Sequence, residues 1–132
     1  MLQAAALLGP FALSASAADP ALADGVVSPA QAKHLVGSYG ESWVYMQGST
    51  GQLSSLASGC YRLKPGMSPH PPHSHPEEEI VLITEGSGEV SIDGKPTQVA
   101  AGSMMLCAAE RTHGIVNTGQ TPLTFYYWKW RK

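Results

Sequence analysis

GMSPHPPHSHPEEEIVLITEG, residues 66–86, changes character half-way along. Prolines at 69, 71, 72 and 76 remove backbone donors and push their preceding residues towards extended conformations, so the first half cannot be helical. From Ile80 to Thr84 the chain becomes β-branched and apolar at consecutive positions, as in a strand buried on both faces, against a second sheet or at a subunit contact. In an extended segment, side chains two residues apart share a face. His73, His75, Glu77 and Glu79 therefore project to one side, and two imidazoles with a carboxylate are a recurrent ligand set for Fe(II), Mn(II), Zn(II), Ni(II) or Co(II). Glu77 directly follows Pro76, which kinks the strand, so Glu79 is the stronger carboxylate candidate and Glu78 faces away. His70 has the wrong parity, sits between Pro69 and Pro71, and is given no ligand role. His113, at the end of a strand that starts near Gly102, is the best third imidazole. Parity alone leaves a second reading open, with His73 and His75 exposed in a Pro-rich loop and the glutamates on a solvated edge.

Outward from this segment, short β-rich runs follow one another between Gly and Pro turns: Ser42–Met46, Leu56–Leu63, Glu89–Ile92, Ser103–Ala108, Gly114–Val116 and Leu123–Trp130. None carries a sustained helical period, and the pattern fits an antiparallel barrel or sandwich rather than βαβ units. In the last run the cations at Lys129 and Arg131 should stay in water. That parity turns Tyr126, Trp128 and Trp130 inward and Phe125 and Tyr127 outward. The chain has 132 residues, enough for one domain. Charged residues are only 14% of it, against a usual level of about 25%. A net charge of −2 supplies no basic field for a nucleic-acid backbone.

The residues now in view resemble the cupin family. Gly66, His73, His75, Glu79 and Gly86 stand at the positions of the first cupin motif, G-x(5)-H-x-H-x(3,4)-E-x(6)-G. GSMMLCAAERTHGIVN is similar to the second motif, G-x(5)-P-x-G-x(2)-H-x(3)-N, through Gly102, His113 and Asn117. Ser87–Ala101 separates the two, a compact spacing like that of small bacterial single-domain cupins, and the resemblance covers Ser42 to Arg131. There are departures. One extra residue lies between Gly66 and His73, and Ala108 and Glu110 replace the Pro and Gly of the second motif, so the turn before His113 is expected to differ in shape. The resemblance implies an all-β, antiparallel jelly-roll barrel with His73, His75, Glu79 and His113 as metal ligands and Asn117 as a structural or supporting residue. It also implies a homodimer and a divalent cofactor (Fe, Mn, Zn or Ni).

By that resemblance the chain is a metal-dependent enzyme of dioxygenase, isomerase or lyase type on a small organic molecule; the alternative is a non-catalytic binder of a small molecule or metal chelate. Tyr61, Arg62, Tyr126 and Trp128 are pocket candidates by position only. Residues 1–17, MLQAAALLGPFALSASA, read as an export signal with an A-x-A site, although no Lys or Arg precedes the apolar run. That places the protein in the periplasm or outside the cell, and otherwise in the cytoplasm. Residues 18–41 form an extension in which Ser28-Pro29 caps a short helix through Val36, and residues 42–132 form the barrel domain. Cys60 and Cys107 either pair in a disulfide or stay as free core thiols.

Overall fold

The computed structural model describes residues 20–132; the expected export signal lies outside them. Nine strands, and no helix among the described residues, form two antiparallel sheets. They are β1 (Lys33–Gly37), β2 (Gly40–Gly48), β3 (Ser55–Leu63), β4 (Glu78–Glu85), β5 (Ser87–Ile92), β6 (Lys95–Ala100), β7 (Met104–Cys107), β8 (His113–Val116) and β9 (Leu123–Arg131). The larger sheet has the order β1-β2-β3-β9-β4-β7 and the smaller β6-β5-β8. Leu63, Val81, Ile83, Leu123 and Phe125 form the core, with Val99 and Ile115 of the smaller sheet packed against them. This is a jelly roll closed over one interior, as expected.

Two strands were not expected. The helix predicted after Ser28-Pro29 shrinks to a single turn, in which Gln31 and Ala32 donate backbone N–H bonds to the Ser28 carbonyl. The chain then leaves as β1, because β2 offers an edge to pair with: His34 lies opposite Trp43, stacks on its ring at 4.8 Å and bonds the Glu41 carboxylate. Tertiary pairing outweighs the modest local helix preference. Strand β6 is polar and contains Pro96, which an edge strand tolerates. It is set by the Asp93-Gly94 turn, where both residues have positive φ, the backbone twist a two-residue hairpin requires.

The faces of β9 are the reverse of the sequence expectation. Phe125 is in the core, and Tyr127 and Lys129 line the interior, whereas Trp128 lies on the outer face and is 39% exposed. The assumption that charge marks the outer face fails at a barrel mouth, where an inward position is also wet. The outer face of the larger sheet is apolar instead: Met104 and Leu106 are 67% and 64% exposed beside the half-buried Ile80 and Leu82. The apolar run of β4 is thus explained by Val81 and Ile83 facing the core and Ile80 and Leu82 facing out.

Both cysteines are free and buried. Cys60 on β3 and Cys107 on β7 are separated by β9 and β4. At the usual strand spacing that is roughly 14 Å of sheet, too far for a disulfide.

Candidate metal centre

Three separate pieces of chain deliver the site. Glu79 enters from β4 and His113 opens β8, rather than ending the preceding strand as expected. His73 and His75 come from the Pro-rich loop, which cannot join a regular sheet but is stitched to the turn before β8. His73 and His113 exchange backbone N–H···O bonds of 2.9 and 3.0 Å, and the Glu110 N–H donates to the His75 carbonyl. Glu110, which stands where the second motif has Gly, has φ = 64°. The turn therefore keeps a left-handed backbone that the side chain opposes. Gly86 at the β4–β5 turn needs its own positive φ, since a Cβ there would collide with the Pro122 carbonyl oxygen.

Donor nitrogens of His73, His75 and His113 lie within 4.8 Å of one another. The Oε2 atom of Glu79 sits 3.0 Å from His75 Nε2 and 2.8 Å from His113 Nε2. What surrounds these rings fixes their chemistry. His75 Nδ1 faces the Glu77 carbonyl oxygen and His113 Nδ1 the Arg111 carbonyl oxygen, both at 3.0 Å. A carbonyl only accepts, so both Nδ1 atoms carry a proton, and a neutral ring in this setting turns its Nε2 lone pair towards the carboxylate. Lone pairs at 2.8 and 3.0 Å from a carboxylate oxygen require a positive charge between them, either extra protons or a cation. Donors at right angles on an ion with bonds of about 2.1 Å are about 3.0 Å apart, close to the separations of Glu79 Oε2 from His75 Nε2 and His113 Nε2.

Protonation has to compete with that ion. The hydrogen bond His113 donates to Glu79 holds the His113 pKa above its ordinary value, against the burial that lowers it. Burial raises the Glu79 carboxyl, but hydrogen bonds and charge from His113 and His75 outweigh it and leave the pKa below the usual range. Burial, with the neighbouring imidazoles, depresses His73.

Of the sequence candidates, His73, His75, Glu79 and His113 come together. Asn117, fully buried, is structural: its side-chain N–H groups donate to the Leu63 and Thr121 carbonyls and its Oδ1 accepts from Gly119 N–H. Tyr61 lines the cavity, whereas Arg62 pairs with Glu85 on the outer face, and Tyr126 and Trp128 lie outside. Three contributors were missed. His70, dismissed on parity, has its Nδ1 2.8 Å from His73 Nδ1, because the Pro-rich loop is not a regular strand. It contacts that nitrogen and so restrains the His73 ring. Tyr127 and Lys129 were lost with the inverted face of β9.

The cavity over the cluster measures about 90 Å³, with an apolar floor that includes Val81, Met105, Ile115 and Phe125. Tyr127 lies over Gly59 of β3, its cross-strand partner, where a Cβ would come within 2.6 Å of the Tyr127 hydroxyl. Burial, and then the Tyr61 and Glu79 charges, push the Tyr127 phenol up to about 12, so at neutral pH it is a hydrogen-bond donor.

A family model described as the cupin domain matches residues 59–129. The chain belongs to the cupin family. Among curated proteins this cupin is 34% identical over 91 residues to the dimethylsulfoniopropionate lyase DddW of Ruegeria pomeroyi, a match covering 67% of the chain and 59% of that relative. The chain thus spans less than two thirds of the relative's length. An RmlC-like cupin from Shewanella frigidimarina superposes with a TM-score of 0.68 at 15% identity, over 83% of this cupin and 93% of that structure. A predicted oxalate decarboxylase from Thermotoga maritima gives a TM-score of 0.63 at 25% identity, over 82% of this cupin and all of that chain, 100%.

Proposed function

We propose that this cupin is a metal-dependent enzyme of the lyase type acting on a small organic molecule, with His73, His75, His113 and Glu79 as ligands of one divalent ion. The observation that carries the reading is the pair of Nε2 atoms, on rings tied from behind by backbone carbonyls, that meet at one carboxylate oxygen. A divalent ion there supplies a Lewis-acid charge that polarises a substrate oxygen. The rest is done by the chain. The three Nδ1 contacts keep the imidazoles oriented without motion, and the apolar floor keeps bulk water from the reacting atoms. Tyr127, neutral at physiological pH, donates a hydrogen bond to an oxygen on which charge builds up. Glu79, committed to two imidazoles, is not free to act as the base. The lyase class is favoured over dioxygenase and isomerase by the names of the two relatives at 34% and 25% identity, a lyase and a predicted decarboxylase.

The same reading includes a homodimer through the outer face of the larger sheet, where Met104, Leu106 and Trp128 are exposed and form an apolar surface of the kind that subunit contacts cover.

The test is turnover by protein reconstituted separately with Fe(II), Mn(II), Zn(II) and Ni(II), followed by proton NMR over a panel including dimethylsulfoniopropionate and oxalate. Metal-dependent loss of one substrate, absent in Glu79→Gln, is expected. Saturable binding with no product from any member would identify a non-catalytic binder instead.

A further inference from the structure

One cation in the cavity wall has no partner. Lys129 is half-buried, lines the same cavity as the histidines, and lies directly opposite Glu79 in the β4–β9 register. Cross-strand neighbours of opposite charge normally pair. Here the Glu79 Oε2 is taken by His75 and His113, and among the described residues no ion pair to Lys129 forms within 4.0 Å, whereas Arg62 and Arg111 are bound to Glu85 and Asp93. An unpaired ammonium on the cavity wall is open to an incoming anion.

Resting on the metal-centre reading above, we propose that Lys129 anchors an anionic head group, making the site selective for small organic carboxylates. A divalent ion and Lys129 against the carboxylates of Glu79 and Glu77, the latter 3.4 Å from His75 Nδ1, still leave the site net positive over an apolar floor. A neutral occupant would leave that field uncompensated, while a carboxylate meets both the ion and the ammonium through charge-assisted bonds. The cavity of about 90 Å³ has room for a carboxylate head group with a short carbon skeleton. The apolar floor then receives the short carbon skeleton, and Tyr61 and Tyr127 also line the cavity.

The probe pair is propionate and its neutral isostere propionamide, titrated calorimetrically into Zn-loaded and metal-free protein, with zinc content measured on every sample. Wild type should prefer propionate, and Lys129→Met should lose about tenfold or more of propionate affinity while propionamide affinity and zinc content stay unchanged. Lys129→Arg, which keeps the charge, should retain most of the preference. Unchanged propionate affinity in Lys129→Met, or a parallel loss for both ligands, would overturn the assignment. A wild-type protein that takes up no zinc overturns the metal centre but not the anchor, which is then decided on metal-free protein by whether the propionate preference again disappears in Lys129→Met.

Discussion

Glu79→Gln separates charge from shape at the heart of the site. The substitution keeps the volume of a side chain that is 11% exposed and leaves an amide oxygen able to accept, but it removes the charge facing His75 and His113. A hydrogen bond involving a charge is worth about 1.5–3 kcal/mol net and a neutral one about 0.5–1.5 kcal/mol, so two such bonds weaken together by roughly 2–3 kcal/mol. Relief from burying the carboxylate returns part of this, leaving a net loss of about 1–2 kcal/mol in metal-free protein, or a Tm lower by about 4–10 °C. The pH dependence carries the diagnosis. The Glu79 pKa is depressed from 4.5, so its contribution is present above that value and lost as pH falls through the depressed one. The His113 pKa is raised from 6.5, so its contribution is complete below that value and lost as pH rises through the raised one. The stability gap between wild type and Glu79→Gln should therefore be widest at pH 4.5–6.5 and narrow on both sides. Urea denaturation of chelator-treated protein at pH 3.5, 5.5 and 9 measures it. A gap that is flat across this range, or absent at pH 5.5, would refute the coupling of Glu79 to its imidazoles.

Glu110→Gly should stabilise the fold by about 1 kcal/mol, read as a higher Tm, because glycine adopts a left-handed backbone without strain. The N–H bond from residue 110 to His75 is kept, and a lower Tm would contradict the strain. Gly59→Ala should cost about 1–3 kcal/mol in urea denaturation and disturb Tyr127, since the new Cβ meets the Trp43 carbonyl oxygen at 2.5 Å and the Tyr127 hydroxyl at 2.6 Å. Leu106→Glu, on the exposed apolar face, should convert a dimer to a folded monomer in light scattering; a wild-type monomer would remove the outer sheet face as an interface.

The two motif halves made most of the site legible, because the spacing of His73, His75 and Glu79 is local and their chemistry is read residue by residue. His113 was legible only as the best remaining imidazole, since its approach depends on a long-range backbone bridge to His73. The strands rich in β-branched and aromatic residues were equally visible. β1 and β6 were not, as each owes its conformation to a neighbour, β1 to the open edge of β2 and β6 to the Asp93-Gly94 turn. The inversion of β9 mattered most for function. Alternation gives two faces but not which is inside, and a lysine at the barrel mouth reads the same as one on the outside. Its strand partners would have resolved this: Tyr127 opposite Gly59 has room to lie inward, and Lys129 opposite Glu79 shares that glutamate's face. His70 escaped because parity holds only for regular strand, which four prolines between 69 and 76 prevent.

Native mass spectrometry with elemental analysis of protein purified without chelator tests the centre most directly. One divalent ion per wild-type chain is predicted, falling to trace levels in His75→Ala/His113→Ala with the folded charge-state distribution retained. A full complement of metal in that double variant, or a wild type that stays empty after incubation with each candidate ion, would contradict it.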